Sequence, residues 1–254
     1  MEYLLFRLYG PLASWGDIAV GESRHSHPFP TKTAVLGLVA AALGINREQE
    51  SLHQTLNEKT SMACAVLNEG DLLRDYHSVQ APDAVGKFRY STRRDELIVG
   101  RDRLGTLLSS RDYRTDACVL VALRVSQGAP YTLDQMAYAL KEPRYLLYLG
   151  RKSCPLGAPL QPEVIQANHF SEVFTKYSPS RISAERSVRY ADQVDGHREW
   201  VDYYWEGSVE DFGPSEKIDT SQLMKLSRHD RLISRKRWQY GANAIYRYRS
   251  VEGR

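Results

Sequence analysis

The stretch that most limits how this chain can fold is its first 45 residues. Residues 3–9 (YLLFRLY) alternate, so Leu4, Phe6 and Leu8 share one face of a strand while Leu5, Arg7 and Tyr9 share the other. Gly10-Pro-Leu-Ala-Ser-Trp-Gly16 follows, a loop in which Pro11 cannot join a ladder and two glycines frame Trp15, expected to be exposed. Pro28 and Pro30 hold the next approach extended, and Thr31 suits the N-cap of a helix. Val35, Leu36, Leu38, Val39, Ala42 and Leu43 give that helix a wide apolar stripe, which Gly44 ends. A strand and a helix that each need an apolar partner imply a sheet with helices packed on it, an α+β fold.

The pattern continues in that sense. Residues 47–59 suit a short surface helix, residues 62–67 a second strand, and residues 72–79 a strand able to pair with it as a hairpin. Residues 80–116 break the apolar rhythm and are too long for an ordinary connection, so they read as a protruding β arm with weak strands at 87–91 and 97–99. A buried strand at 117–125 precedes a helix with a Thr132–Gln135 capping box, in which Leu133, Met136, Ala137 and Leu140 face inward and Pro143 ends the helix. A strand near 160–167 completes β-α-β-β-α-β, the ferredoxin-like arrangement shared with RNA-recognition domains. Strand-like aromatics at 187–190, 200–205 and 244–249 suggest a small β-rich C-terminal domain. The chain of 254 residues thus divides into domains at 1–160 and 161–254.

Charge points to a partner class. The net charge of +3 is made from opposed blocks. Residues 86–114 hold eight Lys or Arg against four acids, residues 224–249 eight against one, and residues 199–219 seven acids against one lysine. One surface therefore suits a polyanion, while another meets protein or stays solvated. No apolar run reaches the roughly 18 residues of a membrane span, and the N-terminus lacks a secretory pattern, so the expected compartment is cytoplasmic. Cys64, Cys118 and Cys154 are widely spaced with no C-x-x-C, and Cys64 and Cys118 lie in expected strands. They read as buried thiols, with neither a disulfide frame nor zinc.

Several residues suit nucleic acid. Lys32 and Thr33 open the first helix beside Arg24 and the glycine loop, the form of a phosphate cradle, though one that any capped helix shares. A Walker A loop is excluded because Thr31-Lys32-Thr33 lacks the required glycines. Residues 143–157 (PRYLLYLGRKSCPLG) interleave Arg144, Arg151 and Lys152 with Tyr145 and Tyr148, and Gly150 and Gly157 let backbone approach a ligand. Cations for phosphates and rings for splayed bases are what single-stranded RNA requires. Arg151 and Lys152 are expected to serve binding without a share in folding. His77, with Tyr76 and a lysine such as Lys87, is the best candidate for metal-independent RNA cleavage, but a lone strand histidine is more often hydrogen-bonded scaffold. No metal site is expected; His25-x-His27 lacks further ligands at suitable spacing.

Four motifs in order, Leu8-Tyr-Gly-Pro-Leu-Ala-Ser-Trp-Gly16, Pro30-Thr-Lys-Thr-Ala-Val-Leu-Gly-Leu38, Arg74-Asp-Tyr-His77 and Pro143-Arg-Tyr-Leu-Leu-Tyr-Leu-Gly-Arg-Lys-Ser-Cys-Pro-Leu156, resemble the CasD family of the type I-E CRISPR Cascade complex. The likeness covers residues 1 to about 160; beyond that it rests mainly on Arg228-His-Asp-Arg-Leu-Ile-Ser234 and the basic, aromatic run after it. The resemblance implies a ferredoxin-like domain with a β-hairpin thumb on residues 80–116 and a smaller β domain. It implies a non-catalytic subunit that holds the 5′ handle of the CRISPR RNA, contacts the large subunit and the first backbone subunit, and meets target DNA only through the complex. Type I-C relatives cut repeat RNA themselves. Carried over, the handle would meet Gly10, Ser14, Trp15, Gly16, Arg24, Lys32, Thr33, Arg74, Tyr76 and His77. Tyr145, Tyr148, Gly150, Arg151, Lys152 and Ser153 would complete that surface, and Arg93, Arg94, Arg101 and Arg111 would be the cations of the arm. No cofactor, small-molecule substrate or membrane is implied.

Overall fold

The computed structural model describes residues 1–16, 19, 21–82, 90–98, 101–177 and 200–251. Its strands are β1 (Glu2–Tyr9), the two-residue pieces β2 (Leu12–Ala13), β3 (Trp15–Gly16), β4 (Ser23–Arg24) and β5 (Ser26–His27), then β6 (Thr60–Asn68), β7 (Asp71–Pro82) and β8 (Leu104–Thr115). After these come β9 (Cys118–Val125), β10 (Glu163–Gln166), β11 (Trp200–Trp205), β12 (Leu223–Ser234) and β13 (Gln239–Val251). The helices are α1 (Lys32–Leu43), α2 (Glu50–Lys59), α3 (Arg93–Ile98), α4 (Leu133–Lys141), α5 (Phe170–Thr175) and α6 (Val209–Phe212). The fold is mixed α/β and dominated by its sheets. Among the described residues no helix is long and apolar enough to cross a membrane.

One antiparallel sheet of seven strands, ordered β10-β1-β9-β6-β11-β13-β12, separates two apolar layers. The alternation in β1 decides which residue enters which layer. Leu4, Phe6 and Leu8 pack with Val35, Leu36 and Val39 of α1 and Met136 and Leu140 of α4. Tyr3 and Leu5 pack on the other side with Phe170, Val173 and Trp205. Local chemistry fixes the helix ends as expected. Thr31 Oγ1 accepts from the Ala34 N–H (3.0 Å), Gly44 closes α1 at φ +78°, and Thr132 and Gln135 form a reciprocal capping box on α4. All three cysteines are buried and none forms a disulfide, and burial pushes the Cys64 thiol up to about 12.

The arm departs from expectation. β7 does not pair with β6, because β9 and β11 occupy both edges of that strand. It runs instead against β8, from Asp71↔Thr115 to Pro82↔Leu104, so the arm begins at Asp71 and not near residue 80. Most β7 side chains are exposed on both faces, since LLRDYHSV has no continuous apolar side to bury. The strand expected at 97–99 is overturned, because Leu97 and Ile98 end helix α3. Lys87 and the segment 187–190 lie outside the described residues. The strands that follow residue 160 continue the main sheet: β10 pairs with β1, and β11 with β6.

Candidate nucleic-acid interface

The glycine loops from opposite ends of the first 160 residues meet. The Ser14 N–H donates to the Leu149 carbonyl (3.0 Å) and the Gly157 N–H to the Tyr9 carbonyl (2.9 Å). Gly150 has φ +86°, and a Cβ there would stand 1.8 Å from the Ser14 carbonyl oxygen; one on Gly10 would stand 2.7 Å from the Pro155 oxygen. These glycines are therefore used for the close approach of one loop to the other, not only for a ligand. Trp15 is a correction: it is 3 % exposed, its backbone N–H donating to Ser26 Oγ (3.0 Å), because β3 folds its ring into the core beneath the loop.

Arg151 closes the junction. Its guanidinium donates to the Asp112 and Arg24 carbonyls (3.2 Å each) and lies 4.7 Å from the centroid of Tyr113. This corrects the expectation that it serves binding alone. Ser14 Oγ reaches the same Asp112 carbonyl (3.3 Å). The Asp112 carboxylate receives Arg74 through two bonds (2.8 and 3.2 Å) and faces His25 Nδ1 (3.1 Å), so the root of the arm is an ionic knot. The Arg74 guanidinium, and after it His25, hold the Asp112 carboxyl below its usual range against the opposing effect of burial, and the same contact raises Arg74. Lys32 is tied to Glu206 (3.0 Å) with both side chains mostly buried, and Thr33 Oγ1 contacts Thr31 Oγ1 (3.0 Å). The acid that neutralises Lys32 comes from the acidic block that sequence alone left without a role.

Between these loops and the β12–β13 hairpin lies a cleft of about 850 Å³. Ser14, Gly16, Thr33, Tyr148, Gly150 and Arg151 border it on one side, and Arg228, His229, Asp230, Arg235, Trp238 and Tyr240 on the other. The second group was missed as a site by residue-level reading, although the charge block over 224–249 marked it. Arg228 lies 4.5 Å over Phe29, and Arg235 and Arg47 lie 4.4 and 4.7 Å from the ring of Trp238. The Arg228 guanidinium is sealed from solvent beside Phe29, so the hairpin offers the cleft mainly Arg235 with Trp238, a cation and a ring able to meet a phosphate and a base.

Other expected residues stand apart from the cleft. Tyr76 is 65 % exposed on the arm, and His77 Nδ1 is 2.7 Å from Asp75 Oδ2. Successive strand residues point to opposite faces, so Tyr76 and His77 cannot address one reacting atom from β7. Arg93 pairs with Glu96 (2.5 Å) and with the Gln80 carbonyl, Arg94 and Arg101 are exposed, and Arg111 donates to Ser109 Oγ (3.3 Å). Tyr145 donates to Asn46 Oδ1 (3.1 Å) on a neighbouring apolar cleft. Lys152 and Ser153 are exposed at the loop's tip. Among the described residues no three His, Cys, Asp or Glu side chains are grouped to hold a metal ion.

Residues 3–246 match the family described as CRISPR-associated protein (Cas_Cas5). This chain belongs to that family. It is 35% identical over 197 residues to the CRISPR system Cascade subunit CasD of Escherichia coli (strain K12), covering 74% of this chain and 83% of that protein. In fold it is similar to a chain of a CRISPR RNA-guided surveillance complex, with TM-score 0.61 and 20% identity over 98% of this chain and 89% of that one. A crystal structure titled Cas protein is also similar, with TM-score 0.54 and 22% identity over 98% and 94% of the two chains. The family match spans both halves of the cleft, including β12 and β13 as far as residue 246.

Proposed function

We propose that this chain is the RNA-binding, non-catalytic subunit of a Cascade-like CRISPR surveillance ribonucleoprotein. It holds the 5′ handle of the CRISPR RNA, joins the large subunit and the first backbone subunit, and meets target DNA only through the complex. It works in the cytoplasm. The observation that carries this reading is the convergence of the two glycine loops beside a cleft bordered by Arg151, Arg228 and Arg235. Phosphates would lie along Arg151, Arg235 and the exposed Lys152, and unpaired bases against Tyr148 and Trp238.

In this reading the strands in the order β10-β1-β9-β6, with α1 and α4 on one face, form a ferredoxin-like RNA-binding unit, and β7–β8 is its thumb. The strands β11, β12 and β13, within the C-terminal part expected at 161–254, form the smaller β-rich unit, which shares the sheet with the first. The divergence of Tyr76 and His77 to opposite faces of the arm supports a role without cleavage. The deciding experiment titrates the purified protein with fluorescent handle RNA at several salt concentrations. Several phosphate contacts give a steep linear fall of log affinity with log salt. A flat dependence would turn the assignment toward a protein-binding adaptor, and site-specific cutting of repeat RNA in EDTA would turn it toward a nuclease.

A further inference from the structure

Inside the cationic cleft stands one group that phosphate binding does not explain. Asp230 is 7% exposed, and its Oδ1 is sealed from solvent with no hydrogen-bond partner among the described residues. It borders the cleft. Its position is set by an irregularity in the hairpin: Arg228 pairs with Asn243, but the next pair is Arg231 with Gly241, so His229 and Asp230 together oppose one residue. A bulge of that kind re-aims a side chain, and bulges recur beside functional sites. Among the described residues Asp230 forms no ion pair, and the neighbouring Arg235 donates to Tyr240 Oη (3.0 Å) and lies over Trp238. A buried carboxylate oxygen is costly unless a donor reaches it.

The donor must come from something that also tolerates Arg151, Arg228 and Arg235 around it. A lysine or arginine of a protein neighbour is repelled by that border, whereas an RNA strand brings phosphates for the cations and base edges carrying N–H groups. We propose that Asp230 accepts a hydrogen bond from the amino group of one unpaired base in the cleft and so selects against uracil there. The proposal rests on the RNA-binding reading above and adds base specificity to it. Cytosine, adenine and guanine each offer an exocyclic amino group. Uracil's single N–H is flanked by two carbonyl oxygens, which face the carboxylate with like charge.

Cytosine and uracil are nearly equal in shape, which gives a clean test. The full chain is titrated with a fluorescent eight-nucleotide oligouridine and with eight variants that each carry one cytosine. One position should bind at least about fivefold more tightly as cytosine, the lower limit for a good base contact. Asp230→Ala should abolish that preference while the salt slope stays unchanged. Asp230→Asn should do the same, because an amide can present either a donor or an acceptor, and it carries the test if the alanine variant fails to fold. Equal affinities for all RNAs with the wild-type chain, or a preference that survives in both variants, overturns the assignment while salt-dependent binding still upholds the RNA reading. Absence of salt-dependent binding to every RNA overturns both.

Discussion

Arg151 and Lys152 are neighbours in sequence with opposite structural positions, so replacing each by alanine separates a brace from a contact. Arg151 spans the junction of the 149–157 loop, the arm's root and the segment around Arg24. A hydrogen bond from a charged donor contributes about 1.5–3 kcal/mol, and at 3.2 Å with a half-exposed guanidinium the two bonds here merit about 1 kcal/mol each. The stack on Tyr113 adds about 0.5–1 kcal/mol. Arg151→Ala should therefore cost about 2–3 kcal/mol, a fall in Tm of about 4–12 °C for a chain of this size. Lys152 is exposed, so Lys152→Ala should leave Tm within about 1 °C and lower the salt slope for handle RNA by about 0.7, the share of one phosphate on a single strand. Thermal melting by circular dichroism and RNA titration of both variants read the two effects. An Arg151→Ala variant that melts with the wild type would refute the bracing role and return this residue to RNA binding alone.

The remaining predictions probe the core, the loop contact and the ionic knot. Leu36, 5% exposed between α1 and the sheet, should cost about 2–5 kcal/mol on truncation to alanine in urea unfolding. Gly150→Ala meets both a positive φ and a Cβ at 1.8 Å from the Ser14 oxygen, so it should destabilise by more than the roughly 1–2 kcal/mol of the backbone conformation alone; a melt equal to wild type would refute the loop contact. The Asp112 carboxyl is held low by Arg74 first and His25 after it, so its contribution is full above the unfolded carboxylate pKa of about 4 and is lost as pH falls through the lower folded value. Asp112→Asn should flatten that acid limb in urea melts taken from pH 5 downward, and an unaltered limb would show that the knot does not stabilise the fold.

Much of the fold could be read from short-range rules. The alternation of residues 3–9, the Thr31 and Gly44 caps and the Thr132–Gln135 box each act within a few residues, and the structure has them where the rules put them. The pairing of the arm was not legible, because the partner of β7 depends on which edges of β6 are already filled by strands far along the chain. Trp15 reads as exposed because glycines mark loops, yet its burial depends on Ser26 and on the core beneath, neither of which its neighbours reveal.

The candidate site divides in the same way. Sequence identified the loop cations, the basic hairpin block and the family they belong to, since residue type and order are properties of the chain alone. Only the tertiary structure determined that Lys32 is neutralised by Glu206, that Arg151 braces backbone carbonyls, and that Asp230 is sealed within a cationic cleft. Charge can be counted along a chain, but whether a charge is available to a ligand depends on what folds against it from elsewhere.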